Sequence, residues 1–115
     1  MLVIVTGSRQ FSDYPRLRSV LSSLAPTEVW TGDAAGADSL ARVWARLQPV
    51  PVRVWRARWA VLGQRAGVVR SAEMLAAAPA DSLVVAFPVG ALETCRGTAA
   101  CVRAARRRGL RVMVR

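Results

Sequence analysis

Blocks of apolar residues with two different periods follow one another along the chain. "LVIVT" (2–6) is an unbroken apolar run, and in the following "YPRLRSVLSSL" Leu17, Val20, Leu21 and Leu24 fall at i, i+3, i+4 and i+7. The run predicts a strand buried on both faces; the spacing predicts an amphipathic helix, with Pro15 near its start, where proline is tolerated. The pair then repeats as a strand "EVWT" (28–31) and a helix whose apolar stripe is Leu40, Val43, Trp44 and Leu47. A third strand, "VPVRVW" (50–55), precedes a helix from about Arg65 to Ala78 that Pro79 ends. "SLVVAF" (82–87) is the fourth strand, "GTAACVRAARRR" a helix stopped by Gly109, and "LRVMV" (110–114) the fifth strand.

Strands alternating with helices predict an α/β, Rossmann-like three-layer sandwich around a five-stranded parallel sheet with right-handed crossovers. Charge orders the strands. The first and fourth carry none and belong in the centre; the third carries Arg53 and opens at Pro51, and the fifth carries Arg111, which suits edges. The expected order is 3-2-1-4-5, with the chain reversing between strands one and four. Ligands of open parallel sheets bind beyond the carboxyl ends of the strands at such a reversal. The segments leaving those ends, 6–13, 31–38, 56–67 and 87–98, hold Gly7, Gly32, Gly36, Gly63, Gly67, Gly90 and Gly97, whereas the opposite end has only Gly109.

The densest of these junctions is "WTGDAAGAD", where Gly32, Asp33, Gly36 and Asp38 precede a helix. The first turn of a helix favours anions, and glycine lets a phosphate approach the backbone. Ser8 and Thr98 add hydroxyls, and Arg9 adds a planar fork suited to phosphate oxygens. Asp38 caps its helix or takes a ribose hydroxyl. Neither a G-x-G-x-x-G after the first strand nor a P-loop is present, which excludes the ordinary dinucleotide and ATP-hydrolase patterns.

Composition narrows the classes further. The chain has 115 residues, enough for one domain spanning 1–115, and 53% of them are apolar, which excludes disorder. No apolar run is long enough to span a bilayer, and the amino terminus has no basic leader, so a cytoplasmic protein without membrane contact is expected. The formal charge is +10 with arginine as the sole basic residue, which predicts affinity for anions such as nucleotides or nucleic acid. Arg103, Arg106, Arg107 and Arg108 form a basic stripe that is either a solvated face or a track for a nucleic-acid backbone. Trp59 either plugs the core or stacks on a base. With no histidine to complete a site with Cys95 and Cys101, neither a metal nor a cofactor is expected. Cys101 reads as a small apolar residue of a helix; Cys95 stands just before that helix, where a thiolate is stabilised.

Together, "VTGSRQFSD", "WTGDAAGADSLARVWA", "RWAVLGQRAGVVRSAEM" and "AFP" with the later "GT" resemble the SLOG superfamily, and most closely its compact YspA-like members. The likeness covers nearly the whole chain. It implies a Rossmann-like fold that binds a nucleotide or nucleotide-derived ligand, as a sensor or an N-glycosidic hydrolase, and a homodimer. The superfamily also includes the LOG phosphoribohydrolases and the Smf/DprA DNA-processing proteins, the latter implying single-stranded DNA as the alternative partner. By motif, the ligand would meet Gly7, Ser8 and Arg9; Gly32, Ala35, Gly36 and Asp38; Arg70; and Gly90, Gly97 and Thr98. The LOG pattern ends in a catalytic glutamate, whereas this chain reads "PVGALETCRGTAAC" with Cys101 at that place. Carboxylate chemistry would then fall to Asp38 or Glu93. Ser71 likewise stands where the YspA-like motif has asparagine after its arginine.

Overall fold

The computed structural model describes Met1–Arg115, the whole chain. Its strands β1 (Leu2–Gly7), β2 (Glu28–Gly32), β3 (Val52–Trp55), β4 (Leu83–Phe87) and β5 (Arg111–Val114) form one sheet. All neighbours are parallel and the order is β3-β2-β1-β4-β5, the order expected from the placement of charge. Helices α1 (Tyr14–Leu24), α2 (Ala37–Leu47), α3 (Trp59–Leu62), α4 (Ala66–Ala77) and α5 (Arg96–Arg107) complete the chain.

Alternation along the strands divides the core between the two faces. Val3, Val5, Val29, Val85 and Phe87 point to one face and pack with Leu17 and Leu21 of α1 and Ala41 and Trp44 of α2. Ile4, Trp30 and Val84 point to the other, against Met74 and Leu75 of α4 and Cys101 and Ala105 of α5. Every residue of β4 is buried, as its uncharged run requires. At the β3 edge, Arg53 lays its guanidinium 3.9 Å from the Trp55 ring centroid, so a charged side chain covers an otherwise bare aromatic.

Two expectations are corrected. The inward face of α2 runs through Ala37, Ala41, Trp44 and Ala45, while Val43 is 40% and Leu47 69% exposed. Short alanines let the helix lie close to the sheet, and that close approach sets the helix's rotation more strongly than the larger residues do. The segment 56–67, expected as a loop, folds Trp59–Leu62 into a helical turn and Gly63–Arg65 into a 3₁₀ turn leading directly into α4. Asp13 caps α1 by accepting from the Arg16 amide at 3.1 Å. At α2 the cap is Gly36, with no side-chain hydrogen bond, so Asp38 does not cap its helix. No helix is long and apolar enough to cross a membrane.

Candidate functional site

A cavity of about 670 Å3 opens at the carboxyl end of β1, takes in Ala34 and Asp38 from the junction after β2, and continues along the groove between α4 and α5. Its size lies in the middle of the range for small-molecule sites. Of the residues expected at a site, it brings together Gly7, Ser8, Arg9, Asp38, Arg70, Gly97 and Thr98. Gly32, Ala35, Gly36, Gly90 and Glu93 lie outside it. Ala35, Gly90 and Glu93 are exposed, and Glu93 stands on the 3₁₀ turn Leu92–Thr94, apart from the cavity lining.

Two of the glycines outside the cavity, Gly32 and Gly36, have internal tasks. A Cβ on Gly36, whose φ is +72°, would come within 2.2 Å of the Ser8 carbonyl oxygen and 2.5 Å of the Arg9 carbonyl carbon. Glycine is needed there because two loops touch backbone to backbone. A Cβ on Gly32 would fall 2.2 Å from Arg70 Nη1 and 2.7 Å from Asp38 Oδ2. Gly32 therefore leaves the space that the guanidinium occupies. Gly7 lines the cavity and also serves packing, since a Cβ there would meet Ala37 Cβ at 2.5 Å and the Phe87 carbonyl at 2.6 Å.

Arg70 is a largely buried strut of the site. Its Nη1 donates to Asp33 Oδ1 at 2.9 Å and to the Trp55 carbonyl at 3.2 Å. Asp33 Oδ2 in turn accepts from the Ala57 amide at 3.2 Å, tying the ends of β2 and β3 to α4. The Arg70 Nε is buried without a partner. Asp33 has no place among the expected ligand residues; its only sequence signal is an acid directly after Gly32, at the end of a strand. Arg42 is a second unanticipated member, donating to the Gly32 carbonyl at 2.8 Å from the first half of α2.

Asp38 sits at the cavity floor, 5% exposed, with Oδ2 accepting from the Ala34 amide at 3.3 Å. Burial pushes its carboxyl above the ordinary carboxylate value, against the opposing pull of the Arg70 guanidinium. Cys101, also at the cavity wall, is buried, and that burial raises its thiol. It is held protonated as a packing residue, in keeping with its place in the α4–α5 core. Cys95 Sγ donates to the Val89 carbonyl at 3.3 Å.

The junctions that follow β1, β2 and β4 differ in how much backbone they leave open. In the first, Ser8 N donates to the Phe87 carbonyl and Phe11 N to the Ser8 carbonyl, while Gln10 N donates to Ser8 Oγ. At the second, Ala37 N donates to the Ser8 carbonyl, so the β1 loop covers the first amide of α2, while those of Asp38 and Ser39 have no backbone partner. At the third, the amides of Gly97 and Thr98 have no partner within the chain, and space beside Gly97 is open. That end of α5 faces the cavity, with the buried Thr98 beside it. Across the mouth stands Trp59, 43% exposed, with the Arg9 guanidinium 5.2 Å from its ring centroid. The lining carries Arg9, Arg70, Arg96, Arg103 and Arg107 against a single acid, Asp38.

A model of the family described as YspA, cpYpsA-related SLOG matches residues 1–61, which include β1, β2 and the loops that follow them. The "Gene 61 protein" of Mycobacterium phage D29 is 36% identical over 121 aligned residues, covering 96% of this chain and 93% of that protein. No solved structure matches the chain.

Proposed function

The chain belongs to the YspA, cpYpsA-related SLOG family, and on that footing we propose that the rim cavity binds a nucleotide-derived small molecule. What carries the reading is the convergence, on one cavity, of an open helix amino end, an unpaired arginine and an exposed indole. The Gly97 and Thr98 amides and the positive end of the α5 dipole take the phosphate. Arg9, which has no acidic partner, closes on the phosphate oxygens. Trp59 offers a flat apolar surface to a base. Asp38 supplies an acceptor for a sugar hydroxyl from the floor. Glycosidic cleavage ordinarily employs two carboxyl groups. Asp38 is alone in the lining, so the reading is binding, as in a sensor, rather than hydrolysis.

The test is a titration with adenosine and guanosine 5′-monophosphates, followed by thermal shift and tryptophan fluorescence, on wild type and Arg9→Ala. Trp30 and Trp44 are buried and Trp55 lies outside the cavity lining, so a quench reports chiefly on Trp59. At a hundredfold excess over Kd, ligand linkage adds about 2.7 kcal/mol to stability. Arg9→Ala should weaken binding about tenfold or more, as loss of a charge-assisted contact does. Absence of any shift with either nucleotide, or equal binding by the variant, overturns the proposal. Tight single-stranded DNA binding that Arg9→Ala leaves untouched favours the nucleic-acid alternative.

A further inference from the structure

The arginines of α5 are not spread around the helix. At 100° per residue, Arg96, Arg103 and Arg107 fall within an arc of about 40°. All three line the cavity, whereas Arg106 and Arg108 do not. Arg108 donates instead to the Ala76 carbonyl at 3.4 Å. Ala100 and Ala104 lie between the stripe's arginines on the cavity wall, where their short side chains keep the groove open. The facing wall of α4 presents Val68, Ser71 and Ala72 and no acid; Glu73 is held by Arg58 at 2.8 Å outside the lining. Arg96, Arg103 and Arg107 make neither ion pairs nor hydrogen bonds from their side chains, so three cations face one groove without compensation.

We propose that Arg103 and Arg107 form a second anion subsite, distal to the open end of α5. The ligand then carries two terminal phosphate groups set apart along the groove, as in a linear dinucleotide phosphorylated at both ends, whose phosphodiester lies between them. This rests on the nucleotide reading of the rim and extends it. One phosphate sits at Gly97, Thr98, Arg9 and Arg96. The other sits about two to three helical turns along, about 10 to 16 Å away at 1.5 Å per residue. A second phosphate offsets charge that the protein leaves unpaired, while a monophosphate leaves the far half of the cavity unfilled. Since the cavity has a small-molecule volume of about 670 Å3, the stripe takes a short ligand in preference to a continuous strand.

Calorimetric titrations at fixed salt decide it. The probes are adenosine 5′-monophosphate, the dinucleotide pApAp, and a twelve-nucleotide single strand of deoxyadenylate. The proteins are wild type and the double variant Arg103→Gln/Arg107→Gln. The two guanidinium groups contact no acceptor in the protein, so the variant should melt with wild type. Wild type should bind pApAp about tenfold or more tighter than the monophosphate. The variant should lose that advantage and keep its monophosphate affinity within about twofold. If neither the monophosphate nor pApAp binds, the nucleotide reading falls and takes the subsite with it. Monophosphate binding with no gain from pApAp, or a gain the variant retains, overturns the subsite alone. A further tenfold gain for the long strand, abolished in the variant, overturns the short ligand and assigns the stripe to nucleic acid.

Discussion

Gly32→Ala tests the buried arrangement under the cavity. The new methyl would overlap the Arg70 guanidinium, 2.2 Å from Nη1 and 2.4 Å from Cζ, and crowd Asp38 Oδ2 at 2.7 Å. Below 3 Å something must move, and Arg70 cannot move freely: its Nη1 is committed to Asp33 and Trp55, and its side chain is 11% exposed. Displacing it weakens one charge-assisted bond and one bond to a carbonyl while overpacking the pocket. Each effect costs about 1–3 kcal/mol. Because Asp33 is 20% exposed and partly solvated, we expect a total of about 3 kcal/mol, less than for a fully buried pair. The assay is urea unfolding followed by circular dichroism, run as a double-mutant cycle with Arg70→Ala. Arg70→Ala alone should cost about 2–4 kcal/mol through the stranded Asp33. Adding Gly32→Ala to it should cost less than about 1 kcal/mol, because the residual contact is with a carboxylate tip. A coupling energy of about 2 kcal/mol is therefore expected. Additive costs would refute the reasoning, since they would mean that the alanine clashes with something other than Arg70.

Two other substitutions follow from the same geometry. Gly36→Ala should destabilise by about 2–4 kcal/mol, since its Cβ meets backbone atoms of Ser8 and Arg9 at a φ of +72°. Gly90→Ala, with φ +71° but open space around it, should cost only about 1 kcal/mol; equal costs in chemical denaturation would mean that the loop contact at Gly36 is unimportant. The raised Asp38 carboxyl predicts a pH effect whose sign is the reverse of the usual acid case. The folded state binds the proton more tightly than the unfolded one, so this group's contribution falls as pH rises from the ordinary 3.8 through its raised value. Asp38→Asn should therefore melt higher than wild type at pH 7, and the gain should vanish below about pH 3.8. A variant less stable by the same margin at both pH values would contradict the burial penalty.

The architecture could be read from residues because the forces that set it are local. Uncharged β1 and β4, Arg53 and Pro51 at one edge, and Arg111 at the other determine the strand order by where a charge or a missing amide can be tolerated. The site was readable only as a region. Clustered glycines mark a place where something approaches the backbone closely, but a glycine cannot say whether the visitor is a ligand or the protein itself. At Gly36 it is the β1 loop and at Gly32 it is Arg70, whereas beside Gly97, the one of these three that lines the cavity, the space stays open. Asp33 stood out as part of that junction, but its task was hidden for a related reason. Its partners, Ala57 and Arg70, lie 24 and 37 residues away, and only the parallel order β1-β2-β3 brings them beside the end of β2. The arginines of α5 carry the converse lesson. Their periodicity was visible as a basic face, yet a helical wheel does not reveal which neighbour that face meets. Once α4 is seen to present Val68, Ser71 and Ala72, and no acid, across the groove, three of those arginines pass from decorating a solvated surface to lining one wall of a candidate binding cavity.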